Sequence, residues 1–440
     1  MKLEEPFKPE QLMRLEYPAR IGKPFASPSV ASRSQGRNRL NTSSIRMEGY
    51  TMSDRFALRG RVITNGQDIL DGLVVVNGSV VAYAGTADGY GEEWPEQVER
   101  VENGFICPGF VDMHMHGIAG SDTMDGTPEA LQTISRALAG YGVTSFLATT
   151  MTAPYADLEK AIRNVVAVSR QGMDGASIVG IHLEGPWINP RYKGAQKEEN
   201  IAVPKLEDVR RLYELADGLM KVVTIAPEQP EATEAIRWLK EQGVVVSAGH
   251  TGASFDQAGK AVESGVCHFT HCFNAMTGLH HREPGVVGAA MYHEQLSTEL
   301  IADGVHVHPA VMRILYRVKS AARLALVSDS MRAAALGEGT YDLGGQEVHV
   351  RGAEAQLADG TLAGSILTLN RAVRNMVTLS GVPLAEAVAM ASETPANILG
   401  LGTQKGRLQA GFDADLVVLG DDFEVQSTYV SGRLVYRVQK

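Results

Sequence analysis

The chain is predicted to fold as a (β/α)8 barrel carrying a small β-sandwich domain built from both chain ends. Three observations predict it. Apolar runs of strand character alternate with stretches of helical spacing through the middle of the chain, short β runs punctuated by turns occupy the two flanks, and strings bearing histidine and carboxylate recur where the central strands should end. At 440 residues the chain is long enough for one large barrel with a satellite.

Residues 1–51 stand apart. Pro, Ser, Arg and Asn are frequent there, apolar periodicity is absent, and the run from Ser32 to Arg39 offers nothing to bury. Such a segment cannot offset its ordering entropy. It reads as a disordered extension, a basic arm, a transit peptide or a mistaken upstream start, with Met52 directly ahead of the first folded-looking segment.

Residues 52–107 and 405–440 form the predicted sandwich. Gly60 to Gly66 and Leu73 to Tyr83 are β runs whose Asn65-Gly66 and Asn77-Gly78 dipeptides signal hairpins, because these residues tolerate positive φ. The C-terminal flank repeats the style in Gly406 to Leu408, Ala414 to Leu419 and Thr428 to Tyr436. Neither flank alone supports a good core, so the two should pack together.

Residues 108–404 alternate. Thr144 to Ala148, Ser177 to Leu183, Lys221 to Ile225, Val244 to Ala248, His268 to His271 and Leu324 to Val327 read as strands, while Leu131 to Ala139, Leu158 to Val168, Val209 to Leu215 and Ala232 to Leu239 have helical spacing. On a barrel, His116, Glu184, His250, His271 and Asp329 share the C-terminal face of the strands, where active sites assemble.

Charge and composition narrow the function. A net charge of -10 argues against nucleic-acid binding. Three cysteines, Cys107, Cys267 and Cys272, are too few for a disulfide framework and suit a reducing cytosol. There is no uninterrupted apolar stretch of the ~20 residues that a membrane span needs, so a cytoplasmic protein is expected.

His114 and His116, two apart on a strand, point the same way and can grip one divalent metal. Glu184, His250 and His271 at matching strand ends strengthen the metal reading. His268 lies three before His271, and an odd separation on a strand puts the two on opposite faces; His268 and the cysteines therefore read as structural. Asp329 ends an apolar strand and suits a general acid/base beside a metal-activated water, or a helix N-cap before Met331. Arg282, in a loop rich in anion-binding groups, reads as a carboxylate or phosphate clamp or as a solvated arginine.

The strings from Pro108 to Gly117, His182 to Trp187, Ser247 to Thr251, Thr270 to Met276, Arg282 to Gly285, Asp303 to His306 and Val327 to Asp329 together resemble the N-acetylglucosamine-6-phosphate deacetylase family of the amidohydrolase superfamily. The resemblance runs in order from about Phe56 to Tyr436. It implies metal-dependent hydrolysis of the N-acetyl group of N-acetylglucosamine 6-phosphate to glucosamine 6-phosphate and acetate. It also implies that Glu184, His250 and His271 are the common metal ligands, that His114 and His116 are second-metal ligands of some members, and that Asp329 is the acid/base. Ala195, Asn274, Ala275, Arg282, His306, Leu362, Ala363 and Gly364 match substrate-contacting positions, with Arg282 and His306 nearest the phosphate, and Gln196 stands where some members carry His. Members are typically homodimers whose phosphate pocket borrows from the neighbouring subunit. One carboxylate with imidazoles suits Zn, Fe or Mn, with one or two ions per subunit. Arg332, close to Asp329 in sequence, would favour its ionised form or point to solvent.

Rival readings are a dihydroorotase-like amidohydrolase, a deacetylase for the galactosamine epimer, and a sugar-phosphate binder without catalysis. The first needs a carboxylated Lys at a strand end, whereas Lys221 begins its strand. A mere binder has no need of Asp329.

Overall fold

The structure, a computed structural model, describes residues 54–439; the expectation for residues 1–51 lies outside the described residues. The central sheet has eight parallel strands: β1 (Phe110–Met115), β2 (Val143–Thr150), β3 (Ser177–Glu184), β4 (Met220–Ile225), β5 (Val245–Ala248), β6 (His268–Phe269), β7 (Ser297–Ile301) and β8 (Leu324–Val327), each paired with the next. Helices α1 (Pro128–Ala139), α2 (Tyr155–Ser169), α3 (Leu206–Leu215), α4 (Ala232–Glu241), α5 (Phe255–Ser264), α6 (Gly285–Tyr292), α7 (Pro309–Lys319) and α8 (Leu369–Thr378) follow these strands in turn. The expected helices fall within α1 to α4.

Strands β2 and β8 are buried along their whole length, as strands wrapped by helices outside and a filled interior inside must be. The helices turn one apolar stripe inward, such as Leu131, Ile134 and Leu138 of α1. Thr127 caps α1 ahead of Pro128, and Ser254 with Gln257 forms a reciprocal capping box on α5, each cap contributing about 1 kcal/mol. Among the described residues, no helix is long and apolar enough to cross a membrane.

The strand ladder stops between β8 and β1. There the barrel is closed by residues at and beyond the strand ends: Asp329 N–H donates to His114 O and His116 N–H to Ser330 O, both at 2.9 Å. Asp112 adds a link by accepting from Ser328 N–H at 3.3 Å.

A second sheet, also of eight strands, unites the flanks. Its join is the antiparallel pairing of Phe105–Pro108 with Leu416–Leu419. Alternation along the strand Arg55–Thr64 sends Phe56 and Leu58 to one apolar cluster and Ala57 to another, so the sheet curls over a core of its own as the small sandwich. Phe56 stacks on Tyr429 with centroids 5.4 Å apart, a contact between the two flanks worth about 0.5–1.5 kcal/mol beyond area burial.

Some details differ from the sequence reading. Asn65-Gly66 forms its hairpin turn, with φ of 50° and 70°. The next turn is Gly78-Ser79, because Asn77 still pairs with Val80. Gly406 to Leu408 is not a strand; Leu408 N–H instead donates to Thr64 Oγ1 at 3.0 Å. A three-stranded antiparallel meander, Gly339–Leu343, Gln346–Arg351 and Glu354–Gln356, was not anticipated. Its Leu343, Val348, Val350 and Ala355 pack with Met151, Ala195, Met331 and Ala363 beside the mouth of the barrel.

Candidate functional site

The sequence-selected residues converge on one end of the barrel. His114 lies within β1 and His116 just beyond it, Glu184 ends β3, and His250, His271 and Asp329 each stand two residues past β5, β6 and β8. The last three have positive φ, at 47°, 26° and 46°. For residues other than glycine this conformation costs on the order of 1–3 kcal/mol each, and neighbouring hydrogen bonds hold it. Glu299 Oε2 accepts from His271 N–H at 3.0 Å, and Asp329 O accepts from Ser365 N–H at 2.8 Å. Gly185, directly after Glu184, is required: its φ is 78°, and a Cβ would lie 2.1 Å from Thr152 Oγ1.

Two overlapping donor sets result. In the first, Glu184 Oε1 lies 3.2 Å from both His250 Nε2 and His271 Nε2, which are 3.1 Å from each other. For metal–nitrogen bonds of about 2.0–2.1 Å, tetrahedral donors stand about 3.3 Å apart, so these three atoms have the spacing of one face of a coordination shell. The second set is His114, His116 and Asp329. Asp329 Oδ1 lies 3.3 Å from His116 Nε2 and 3.6 Å from His114 Nε2, and Glu184 reaches both imidazoles at 3.3 Å. His114 Nε2 is buried with no hydrogen-bond partner. That orphaned atom and the crowding of imidazole nitrogens around Glu184 fit a divalent metal in each set, with Glu184 facing both.

Electrostatics agree with this reading. Burial opposes a charged His114, but Glu299, Glu184 and Asp329 outweigh it and hold the imidazole well above its usual range. His116 is pushed up to about 10, burial being overcome by hydrogen bonds to Asp329 and Glu184. Burial likewise raises Glu184 and Asp329, yet the adjacent imidazoles keep both below the usual carboxylate range. The carboxylates ask for positive charge beside the imidazoles, which a divalent cation supplies in place of protons.

Neighbours orient these groups. His250 Nδ1 meets Tyr192 O at 2.8 Å. Gln196 accepts from Thr152 N–H and donates to Glu184 Oε2, both at 2.7 Å. Glu299, which sequence reasoning did not single out, receives His114 Nδ1 at 2.8 Å. Its only sequence signal is a carboxylate within the short run Ser297 to Ile301. Arg332 takes neither expected course: it donates to Asp125 Oδ1 at 2.9 Å and to Gly120 O at 3.2 Å, away from Asp329. A turn, not a helix, follows Asp329.

Above the donor sets is a cavity of about 330 Å³, in the range of small-ligand sites. Ala195, Gln196, Asn274, Ala275, His306, Leu362 and Gly364 line it, together with His116, Glu184, His250, His271 and Asp329. Ala363 is buried behind the wall, and His114 lies beneath the cavity floor with no exposed surface. Arg282 is not among the lining residues; it is exposed and donates to His281 Nε2 at 2.8 Å. Arg191, Thr361 and Leu343 line the cavity without having been anticipated. His306 Nδ1 bonds Asp303 Oδ2 at 2.6 Å. Burial opposes its charged form, but Asp303 prevails and raises its pKa.

The amidohydrolase family matches residues 105–435. The chain is 39% identical over 378 residues to the N-acetylglucosamine-6-phosphate deacetylase of Bacillus subtilis (strain 168), covering 85% of this chain and 95% of the relative. It is 40% identical over 343 residues to the N-acetylgalactosamine-6-phosphate deacetylase of Escherichia coli O157:H7, covering 78% and 91%. A solved structure of a mutant N-acetyl-D-glucosamine-6-phosphate deacetylase from Mycobacterium smegmatis, in complex with N-acetyl-D-glucosamine-6-phosphate, matches with a TM-score of 0.82 at 32% identity, covering 87% of this chain and 99% of that one. The chain belongs to the amidohydrolase family, among its N-acetylglucosamine-6-phosphate deacetylases.

Proposed function

We propose that this protein hydrolyses the N-acetyl group of N-acetylglucosamine 6-phosphate, giving glucosamine 6-phosphate and acetate. The observation that carries the reading is the convergence of Glu184 Oε1 with two imidazole nitrogens at 3.2 Å on the floor of a sugar-sized cavity. Glu184, His250 and His271 would hold one divalent metal, and His114, His116 and Asp329 a second, with Glu184 shared between them. A metal held by these residues would supply polarisation of the amide carbonyl and a lower pKa for the attacking water. Asp329, at the cavity wall, takes a proton from that water and returns it to the nitrogen of the breaking C–N bond.

His306, held by Asp303, leaves Nε2 for the phosphate. Asn274 and the backbone around Ala275, with Ala195 and Leu362 to Gly364, shape the walls around the sugar, and Gln196 fixes Glu184. Arg282 lies outside the cavity of its own chain, so a phosphate role for it requires a homodimer in which it serves the neighbouring subunit.

Metal analysis combined with acetate release from N-acetylglucosamine 6-phosphate tests this reading. Metal-loaded protein that releases no acetate would refute it. The relative from Escherichia coli O157:H7 supports a second reading, the galactosamine epimer, and kcat/KM on the two epimers side by side decides between them.

A further inference from the structure

Glu299 lies within β7, its side chain wholly buried, at the bottom of the barrel interior that carries the donor sets. Oε2 meets His114 Nδ1 at 2.8 Å and the backbone N–H of His271 at 3.0 Å, while Oε1 meets His268 Nε2 at 3.3 Å. A carboxylate can only accept, so the proton between Glu299 and His114 sits on Nδ1. In the neutral ring Nε2 is then a lone pair, and it is the atom that faces Glu184 and Asp329 without a hydrogen-bond partner. The same Oε2 anchors the backbone of His271 at its positive φ of 26°. One oxygen thus sets the tautomer of an imidazole in one donor set and the position of an imidazole in the other.

Two neighbours complete the arrangement. His268 Nδ1 meets Ser297 Oγ at 2.7 Å, which keeps the ring turned toward Glu299. His182, although close to both His114 and Glu299, has its nitrogens committed to Met113 O at 3.2 Å and Thr224 Oγ1 at 2.7 Å. The trio His114, His182 and Glu299 is therefore a hydrogen-bonded support and not a further ligand set.

We propose that Glu299 is a positioning residue shared by both donor sets, raising the metal affinity of each through His114 and His271. The proposal rests on the metal reading given above. Outer-sphere partners of this kind typically change metal affinity ~10–100-fold.

The test uses the full chain, stripped with chelator and titrated with Zn²⁺ against a chromophoric competitor, in wild type and Glu299→Gln. The expected result is a ~10–100-fold loss of Zn²⁺ affinity at both binding steps, with the melting temperature of the metal-free protein little changed and acetate release recovering as Zn²⁺ is raised. Wild-type affinity in Glu299→Gln, or loss at one step only, would overturn the proposal, as would a fall in metal-free melting temperature with affinity unaltered. Should Glu299→Gln not fold, His268→Gln releases only Oε1 and should lower affinity several-fold; unaltered affinity there would overturn the proposal equally. Wild-type protein that binds no Zn²⁺ would instead refute the metal reading itself.

Discussion

His250 and His271 bring their Nε2 atoms to 3.1 Å from one another. The Tyr192 carbonyl accepts a hydrogen bond from the Nδ1–H of His250, so a neutral His250 presents a bare lone pair at Nε2. A cation is the natural third party. Exhaustive chelation should lower the melting temperature, and Zn²⁺ at 100–1,000 times its Kd should restore about 2.7–4.1 kcal/mol of stability. A thermal shift indifferent to both treatments would exclude metal from this triad.

His114 and His116 define the second donor set. The double variant His114→Asn/His116→Asn should retain the metal held by Glu184, His250 and His271 and lose the other, so that metal analysis falls from two equivalents to one. Unchanged stoichiometry would place the second ion elsewhere.

Asp329 touches the second set and the cavity. Asp329→Asn should keep the first metal and its fold while kcat drops at least ~100-fold, the scale of a lost general acid/base. Because the Arg332 guanidinium binds Asp125 instead, Arg332→Ala should leave the pH dependence of kcat in place. A displaced acid limb in the Arg332 variant would show that its charge reaches Asp329 after all.

Much of this site was legible because the residue types that bind metals also fell where predicted strands ended. What escaped has physical causes. β7 carries Ser297, Thr298 and Glu299 buried in the protein interior, so its hydropathy conceals a strand, and a mid-strand glutamate reads as exposed. On a continuous strand His268 and His271 would face opposite ways. β6 ends at Phe269 and His271 has positive φ, so the side chain of one and the backbone of the other both meet Glu299. The meander over residues 339–356 alternates polar and apolar residues only over short runs such as Glu347 to Arg351, its first strand runs into the paired glycines Gly344 and Gly345, and its place beside the cavity depends on tertiary packing with Ala195 and Met331.

On the proposed phosphate role of His306, pH should discriminate substrates. Asp303 raises the folded-state pKa above the unfolded value, despite burial. The charge-dependent stabilisation is therefore complete below the unfolded pKa and is lost as pH rises through the folded one. The kcat/KM for the phosphorylated sugar should decline over that same rise, and Asp303→Asn should move the decline to lower pH. Removing the imidazole with His306→Ala should cost about 1.5–3 kcal/mol in kcat/KM, the worth of one charged hydrogen bond. Identical pH profiles for Asp303→Asn and wild type would separate His306 from phosphate binding.

Arg282→Ala tests whether a second subunit completes the pocket. The substitution should weaken the phosphorylated substrate by about 2–5 kcal/mol in kcat/KM, as expected for one partner of a desolvated charge pair, and barely alter N-acetylglucosamine itself. Equal losses on both sugars would show that Arg282 supports the fold rather than the phosphate, and a monomer that is fully active would assign it to solvent.

The pairing of Phe105–Pro108 with Leu416–Leu419 has a consequence for biogenesis. On the ribosome, the N-terminal flank emerges first and must wait, with a bare strand edge, until the entire barrel sequence has been translated. Unpaired edges invite association with other chains. The last strands to be made are therefore the ones that seal the first, and a chain ending before Leu416 would leave the edge beside the N-terminal half of the sheet open to whatever strand it meets.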